Sequence, residues 1–479
     1  MSSSVNVRVA LQHPAINAGM YVDELQYAIL DIEPVSGSGS ERPPLNLVIV
    51  VDASATMHHF QFSDDEREYW MTLALQRNEI ERGKADERDA VYWTGQTLQE
   101  INATARKPMA LVVDGLKQVL ETLGSSDKVS VVAFADRPYV VFTEQDWGAF
   151  PDRCYQALEN LRNNRLPADI GTGTYMSEAL SHASDLLLRN ASPSAVSRLI
   201  IITDGIVQDP ALALGRIVSV QERGVAITTI GVGEEFDEEF LIRVADNSRG
   251  EYHYAADSAE INRCLQQELR ALQATAVTDM YIAVRGLGGS CVQELFMVRP
   301  SMSIFDEIFT EEEWIRARVG DVSSTAPAGV LVQFLPANAP EGSKPVLEVQ
   351  LAWSYTSTAF GASKGNEKIV INAEFSRDPM KTSAKDPVVS DLVDRFTVFK
   401  YEREAQRAQE KGNFELAKEK LGAATKRLKD LGEHNLAADM EEQLNAVGKK
   451  SADTKVLKRI KSTTRRLASG GTPPSDLNP

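Results

Sequence analysis

Between residues 45 and 255, short apolar runs rich in β-branched residues alternate with amphipathic stretches of helical periodicity. This alternation is typical of strand–helix–strand crossover units, which build a mostly parallel sheet with helices on both faces. The runs from Leu45 to Val51 and from Arg198 to Thr203 are continuously apolar, as expected for central strands buried on both faces. The sequence therefore predicts an α/β domain with a doubly wound, mostly parallel sheet.

The individual elements of this domain follow from the same pattern. Strands are predicted at 45–51, 128–135, 139–142, 198–203, 225–232 and 251–254. Helices are predicted at 109–123, 147–162, 176–189, 210–221 and 237–246. Glycine-rich and polar segments separate them, as expected of loops.

The remaining sequence predicts further domains on either side of an α/β domain at 45–276. Residues 5–12 and 25–32 look like strands that no helix separates, so residues 1–44 are expected to join a sheet elsewhere. Residues 277–385 hold β-rich runs between Gly, Pro and Ser loops, which favours an antiparallel β-sandwich. Residues 386–467 predict a helical C-terminal domain, a bundle whose three helices lie between residues 387 and 447, and residues 468–479 predict a disordered tail.

Charge and composition exclude several classes of function. The net charge of −17 disfavours nucleic acid and anionic membranes as partners, and the sequence has no apolar run long enough to insert into a membrane. The first residues lack the pattern of a signal peptide. Three widely spaced cysteines predict buried thiols in a reducing compartment. We expect a cytoplasmic protein whose partner is another protein or a small cationic molecule.

One segment departs from the acidic balance. Residues 449–467 contain a single acid, Asp453, and eight basic residues: Lys449, Lys450, Lys455, Lys458, Arg459, Lys461, Arg465 and Arg466. The favoured interpretation is a solvated helix end beside a disordered tail, because most charge runs are solvated. The alternative is a helix that docks on an acidic surface.

Oxygen-bearing side chains follow the two most apolar strands. Asp52, Ser54 and Thr56 occupy alternate positions after the first, and Asp204 follows the run that ends at Thr203. Ligands of open α/β sheets bind at the carboxyl ends of strands, and carboxylates with hydroxyls are hard ligands that suit Mg²⁺ or Mn²⁺.

A glycine-flanked loop supplies the remaining hydroxyl of this set. Thr172 and Thr174 both lie on it, and Thr174 at the start of a helix is the favoured choice. We call Asp52, Ser54, Thr56, Thr174 and Asp204 the oxygen cluster. The alternative is that these residues only cap helices and turns.

This spacing resembles the metal-ion-dependent adhesion site of von Willebrand factor A domains. The resemblance implies that the oxygen cluster surrounds Mg²⁺ (or Mn²⁺ or Ca²⁺), directly or through water. It also implies that an acidic side chain of a partner protein completes the coordination. Thr56 and Ala55 depart from the serine and glycine usual in the family, which puts the affinity of the site in doubt. The whole arrangement is similar to bacterial intracellular proteins of this family, some of which work with MoxR-type AAA+ ATPases.

Residues 58–107 form an insertion beside the first metal loop. Its acidic and apolar residues, including Asp64, Asp65 and Trp70, predict one or two helices, with a later helical run through Val91, Trp93, Leu98 and Ile101. A lid that contacts the partner and a hairpin packed on the side of the domain are both compatible with this pattern. His58 and His59 lie near the site, but two adjacent histidines are weak indicators of zinc.

Two other functions compete with metal-dependent protein binding. The segment Asp52 to Thr56 approaches the nucleophile loop of haloacid dehalogenase phosphatases, but Ser54 stands where that chemistry needs an acid. We therefore do not expect an enzyme. The second alternative is a scaffold of the same fold whose metal site is weak or lost.

Overall fold

The computed structural model describes residues 5–19, 24–35, 43–60, 62, 64–85, 88–104, 107–192, 195–222, 224–233, 236–255, 258–305, 309–311, 313–325, 327–355, 363–448 and 454–469. In chain order, the strands β1 to β19 span Val5–Leu11, Ala15–Asn17, Gln26–Pro34, Leu45–Asp52, Ile80–Ala85, Arg88–Trp93, Lys128–Phe134, Pro138–Phe142, Val196–Thr203, Ala226–Val232, Tyr252–Ala255, Thr275–Gly286, Cys291–Arg299, Ser303–Ile304, Phe309–Glu311, Trp314–Ser323, Ala328–Leu335, Gly342–Tyr355 and Ser363–Ser376. The helices α1 to α14 span Asp64–Arg77, Gly95–Thr104, Pro108–Thr122, Glu144–Ala149, Pro151–Arg162, Ser177–Arg189, Pro210–Gln221, Glu238–Ser248, Ser258–Gln273, Pro379–Thr382, Pro387–Glu410, Phe414–Asp430, His434–Ala446 and Thr454–Arg466. Single 3₁₀ turns occupy Thr56–His58 and Leu467–Ser469.

The central domain is built on a six-stranded sheet in the order β8-β7-β4-β9-β10-β11. All neighbours run parallel except β7 and β8, which are antiparallel. Helices α3, α5 and α9 pack on one face and α6, α7 and α8 on the other, so all eight residues of β4 are buried. This confirms the predicted α/β fold with a doubly wound sheet. The winding reverses between β4 and β9, the usual ligand position in such sheets.

The helices of this domain differ from expectation in two places. The single helix expected over 147–162 is wrong, because α4 ends at Ala149 and α5 begins at Pro151. Phe150 between them has φ −143° and ψ 63°. A residue that precedes proline avoids the helical region, which explains the break. The helix α9 was not anticipated, although it supplies Ile261, Leu265 and other residues to the core.

The insertion is a helix, a hairpin and a second helix. The expected helical run through Val91, Trp93, Leu98 and Ile101 is wrong in its first half, because Val91 and Trp93 lie on β6, which pairs antiparallel with β5. Its second half is confirmed, because Leu98 and Ile101 lie on α2. Val91 and Trp93 are a β-branched and an aromatic residue two positions apart, and both that composition and that spacing favour a strand. Glu79 fixes the start of α2, since its carboxylate accepts hydrogen bonds from the backbone N–H of Gln96 (2.9 Å) and Thr97 (2.6 Å).

Two sheets pack face to face beyond the central domain. One has the order β1-β3-β17-β13-β14, and the other β15-β16-β12-β18-β19-β2. The strand β3 lies between β1 and β17, antiparallel to both, and its Leu30 and Ile32 are fully buried in the core between the sheets. The three-residue strand β2, which was not anticipated, pairs in parallel with β19. The N-terminal segment is therefore part of the sandwich.

The C-terminal segment contains the long helices α11, α12 and α13, and a further helix, α14, within the basic run. The expectation that this run is solvated is wrong for the part that the structure describes, because Lys458 and Arg465 are 4% and 5% exposed. Residues 449–453 lie outside the described residues. Lys461 lies 3.0 Å from Glu238 of the central domain, and Arg465 donates two hydrogen bonds to Asp246. The basic helix α14 therefore packs against acidic side chains of the central domain of the same chain.

Two smaller expectations concern the tail and the thiols. Residues Leu467–Ser469 form a helical turn, so the predicted disordered tail at 468–479 begins too early, and its residues 470–479 lie outside the described residues. Cys154 and Cys264 are buried as expected, but Cys291 is exposed at the start of β13. Within the described part of the chain, no helix is long and apolar enough to cross a membrane.

Candidate metal centre

The two strands at the winding reversal deliver the carboxylates of the oxygen cluster. Asp52 ends β4, and Asp204 directly follows β9. Because β4 and β9 pair in parallel, with Val51 opposite Ile202, both carboxylates reach the same edge of the sheet. Asp52 and Asp204 are 0% and 2% exposed, so their loops hold them beneath the surface.

Hydrogen bonds join the two carboxylate loops. Thr56 Oγ1 donates to Asp204 Oδ1 at 2.8 Å, and Ser54 Oγ lies 3.0 Å from Thr56 Oγ1. The backbone N–H of Ser54 donates to Asp52 Oδ1 at 2.8 Å. Ser54 is buried, whereas Thr56 is exposed. The cluster is therefore continuous from the buried end of β4 to the surface.

The third loop contributes Thr174. A Cβ on Gly205 would lie 2.9 Å from Thr174 Oγ1 and 3.6 Å from Asp52 Oδ2, which shows how closely these side chains approach the Asp204 loop. Thr174 is 7% exposed. Thr172, the other candidate, contributes its backbone carbonyl, which accepts a 3.2 Å hydrogen bond from Ala55. The structure thus brings together all five predicted residues.

Burial strongly affects the ionisation of Asp52. Removal from water raises the pKa of its carboxyl to about 6, against the opposing effect of hydrogen bonds from Thr203 and Ser54. Thr203 Oγ1 donates to Asp52 Oδ2 at 2.5 Å. A buried carboxylate gains stability from a nearby cation. The environment of Asp52 therefore suits a carboxylate that serves as a metal ligand.

The donor set fits a hard divalent cation. It offers two carboxylates and three hydroxyls, all oxygen, which match Mg²⁺, Mn²⁺ or Ca²⁺ and not a soft metal. Among the described residues, no group of three or more His, Cys, Asp or Glu side chains could hold an ion. A cation at this position would consequently depend on the hydroxyls of Ser54, Thr56 and Thr174.

The sequence analysis did not identify several residues that position the loops of the oxygen cluster. Asp136 Oδ1 accepts from the backbone N–H of Gly173 at 2.8 Å, and Gln208 Oε1 accepts from that of Thr174 at 3.2 Å. Asp209 accepts from the backbone N–H of Met176 at 2.8 Å and so supports the start of α6. Asp136 lies two residues beyond the end of β7, much as Asp52 ends β4 and Asp204 follows β9, and this pattern was available in the sequence.

The structure describes only some of the predicted partner-binding residues of the insertion. The side chains of Asp64 and Asp65 lie outside the described residues. Trp70 is half-buried, and its ring contacts that of Tyr69 in an edge-on arrangement with centroids 5.0 Å apart. His58 is buried in the 3₁₀ turn, and burial lowers its pKa to about 4.

Two apolar side chains flank the cluster at the surface. Tyr175 follows Thr174 and is 45% exposed, while Ile206 follows Gly205 and is 65% exposed. Both loops therefore present an apolar side chain beside an oxygen ligand. A partner that reaches the cluster would also meet these side chains.

A doubly wound, mostly parallel sheet that carries carboxylate and hydroxyl loops at its winding reversal defines the central domain as an open α/β domain. Residues 102–268 match the family model of the von Willebrand factor type A domain, and the chain contains such a domain. This match includes Thr174 and Asp204 of the oxygen cluster. It begins at residue 102 and therefore does not include Asp52, Ser54 or Thr56. Residues 387–470 match the Sll0103-like, C-terminal alpha-helical domain.

Comparison with known proteins extends the likeness to the whole chain. The uncharacterized protein YfbK of Escherichia coli is 23% identical over 177 residues, which cover 36% of this chain and 29% of that protein. The chain thus spans less than a third of this relative. A von Willebrand factor type A structure from Catenulispora acidiphila has a TM-score of 0.68 at 16% identity and covers 97% of this chain and 98% of its own. The ArnB paralog VWA2 from Sulfolobus acidocaldarius has a TM-score of 0.52 at 14% identity, with coverage of 98% and 99%. These two likenesses show the fold.

Proposed function

We propose that this protein is a binding module that grips an acidic side chain of a partner protein through a divalent cation held by the oxygen cluster. The observation that carries the proposal is the hydrogen-bonded chain Ser54–Thr56–Asp204, which gathers the ligands of separate loops at one point. The von Willebrand factor type A fold supports a role in protein interaction. The proposed role is not catalytic.

The residues that would hold the cation are the five of the oxygen cluster. When bound, Mg²⁺ supplies a positive charge and takes six oxygen ligands in a near-octahedral arrangement. Five protein oxygens leave room for an oxygen from outside the chain. Thr56 is the exposed member of the cluster, so we propose that the open position faces solvent near Thr56.

The surroundings of the cluster indicate what the partner offers. Tyr175 and Ile206 lie one residue from Thr174 and Gly205, and both are exposed. Burial of apolar surface contributes to association, whereas an acidic group alone gives a weak contact. We propose a partner with an Asp or Glu beside apolar residues. The resemblance to bacterial proteins of this family makes a MoxR-type AAA+ ATPase a candidate for such a partner.

Affinity capture with the full chain tests the proposal. The immobilised wild-type protein is incubated with a lysate of the source organism in Mg²⁺, in EDTA, and in EDTA followed by excess Mg²⁺. We expect a partner that binds in Mg²⁺, is lost in EDTA and returns when Mg²⁺ is restored. The variant Asp204→Ala should lose it under all three conditions.

A control variant distinguishes loss of the metal site from the mere loss of one negative charge. Asp185→Ala removes an exposed carboxylate on α6, away from the cluster, and should retain the partner. A bound set that is identical in Mg²⁺ and in EDTA would show that metal is not the means of attachment. Circular dichroism of Asp204→Ala checks that the variant is folded.

A further inference from the structure

The helix α7 exposes apolar side chains, unlike its neighbours on the same face of the central sheet. It packs between α6 and α8. The residues that α8 exposes are all polar: Glu239, Arg243 and Asn247. Those that α6 exposes are Glu178, His182, Asp185, Leu188 and Arg189, of which one is apolar. Those that α7 exposes are Pro210, Ala211, Leu212, Gly215, Arg216 and Val218, of which one is charged. The middle helix of the three therefore presents the apolar surface.

The sequence of α7 lacks the polar face of a solvated helix. Its inner face is formed by Ala213, Ile217 and Val220, which are buried. A helix at the surface normally has charged or polar residues opposite its buried face. Leu212 and Val218 are instead 68% and 49% exposed. Exposed apolar side chains that cluster on one element indicate an interaction surface.

This surface continues to the oxygen cluster. The helix begins at Pro210, and the loop between Asp204 and Pro210 is attached to the Thr174 loop, because the backbone N–H of Gln208 donates to the Thr174 carbonyl at 2.9 Å. Ile206 on the Asp204 loop is 65% exposed. We call Ile206, Leu212, Gly215 and Val218 the apolar strip. A partner bound at the oxygen cluster would therefore meet the apolar strip as the continuation of the same surface.

The charge of α7 indicates which kind of molecule the apolar strip fits. The helix contains no acidic residue, although the chain has 68 Asp and Glu residues and a net charge of −17. Its one charged side chain, Arg216, is exposed and favours an acidic group nearby. A second copy of this chain would carry the same net charge of −17, which repels it. A different protein with an acidic residue is the better occupant.

The secondary structure of the occupant follows from the backbone of α7. A helix satisfies its own backbone hydrogen bonds and offers no free strand edge, so an extended segment would find no backbone partners there. An amphipathic helix needs none and contacts the strip through its side chains. Nothing lies within 4 Å of the position of a Cβ on Gly215, which leaves a recess between Leu212 and Val218 for one such side chain.

We propose that the apolar strip is the docking surface for an amphipathic helix of a partner protein, and that an Asp or Glu of this helix reaches the oxygen cluster. The six residues from Leu212 to Val218 span about 9 Å, so about two turns of the partner helix cover them. The acidic contact rests on the metal-dependent function proposed above. The apolar contact rests on α7 alone.

Selection from a displayed peptide library tests the proposal without a known partner. Random peptides of about 16 residues, long enough for about four helical turns, are selected on the immobilised full chain in Mg²⁺. We expect the selected peptides to carry an Asp or Glu followed by apolar residues at spacings of three and four. Fluorescence polarisation of the synthetic peptides gives their Kd in Mg²⁺ and in EDTA. Strictly alternating apolar residues would indicate an extended ligand and contradict the proposal.

Matched variants localise the binding. Val218→Lys should raise the Kd of the selected peptides by about tenfold or more, because the variant removes an apolar side chain that binding buries. Val370→Lys makes the same change on β19 of the sandwich, at a valine that is 46% exposed, and should bind as the wild type does. Both variants should bind Mg²⁺ with unchanged affinity in calorimetry, since neither alters the oxygen cluster.

The two variants and EDTA distinguish failure of this proposal from failure of the metal-dependent function. Peptides that require Mg²⁺ but bind Val218→Lys and Val370→Lys equally would overturn the docking surface and leave the metal-dependent function standing. Peptides that Val218→Lys weakens but EDTA does not would support the docking surface and contradict the metal-dependent contact. A library that yields no binding peptide would also overturn the proposal.

Sedimentation equilibrium of the wild type tests the second copy as the occupant. We expect a monomer whose mass does not change in Val218→Lys. A dimer that Val218→Lys converts into a monomer, while Val370→Lys remains dimeric, would assign the apolar strip to contact between two copies and overturn the proposal.

Discussion

Arg465 donates two hydrogen bonds to the carboxylate of Asp246, and the pair joins the last helix of the chain to the central domain. Their side chains are 6% and 5% exposed, although 219 residues separate them in sequence. Water does not screen a pair buried to this extent. The contact therefore fixes α14 against α8 in the folded chain.

Replacing one member of this pair should be costly. Arg465→Leu leaves the carboxylate of Asp246 buried without its main partner, and we expect a loss of about 3–5 kcal/mol in the free energy of unfolding. Urea unfolding followed by circular dichroism measures it. Arg459→Leu on the same helix breaks a pair whose arginine side chain is 50% exposed. That control should cost at most about 1 kcal/mol, and equal losses in the two variants would contradict this account.

A second prediction concerns Glu402, which α11 buries at the contact with the central domain. Burial raises the pKa of its carboxyl from 4.5 to about 7, with Lys461, Glu238, Arg403 and Arg465 as the charged groups around it. The folded state favours the neutral acid, so Glu402 lowers stability as the pH rises from 4.5 through 7. Glu402→Gln should therefore stabilise the protein at pH 8, but not at pH 4.5, by an amount on the order of 3 kcal/mol.

Thermal unfolding across this pH range measures the effect of Glu402. Glu410→Gln, at an exposed position of the same helix, should change neither the stability nor its pH dependence. The prediction is wrong if the melting temperatures of Glu402→Gln and the wild type run parallel from pH 4.5 to pH 8.

The sequence predicts those parts of the site that depend only on which residues follow one another at the ends of strands. Continuous apolar runs mark β4 and β9, and polar residues at their carboxyl ends predict the positions of Asp52 and Asp204. Parallel strands bring such ends together regardless of the intervening length. For this reason five site residues could be named, although the chain between Thr56 and Thr174 includes an insertion.

The parts that the sequence does not reveal depend on contacts between distant segments. Nothing near Arg465 in sequence identifies Asp246 as its partner, so the basic run was interpreted as solvated. Val91 and Trp93 were assigned to the same helical run as Leu98 and Ile101, but they pair with β5 as a strand, and the helix begins after them. Periodicity cannot separate a short strand from a helix when the pairing strand is unknown.

A third prediction tests the close approach of the loops at Gly205. Gly205→Ala adds a Cβ 2.9 Å from Thr174 Oγ1, so the hydroxyl must move. We expect Mg²⁺ affinity to fall by about tenfold, as is usual when a ligand is displaced by a change in its supporting residue. Gly215→Ala in α7 is the matched control, because nothing lies within 4 Å of its added Cβ. That variant should keep the affinity and gain up to about 1 kcal/mol of stability.

A fourth prediction tests whether the N-terminal segment belongs to the sandwich core. Leu30→Ala truncates a fully buried side chain of β3 and should cost about 2–5 kcal/mol of unfolding free energy. Leu25→Ala truncates a leucine that is 38% exposed and should cost under about 1 kcal/mol. Deleting residues 1–40 should lower the melting temperature further than Leu30→Ala. An unchanged melting transition after the deletion would contradict the role of β3.

Titration of the full chain with Mg²⁺ and Mn²⁺ by isothermal calorimetry tests the central claim most directly. The wild type should bind one ion saturably, Thr56→Ser should retain binding, and Asp204→Ala should lose it, while the exposed-site variant Asp185→Ala should match the wild type. The opposite result, no saturable binding of either ion by the wild type, would contradict the assignment of the oxygen cluster as a metal centre.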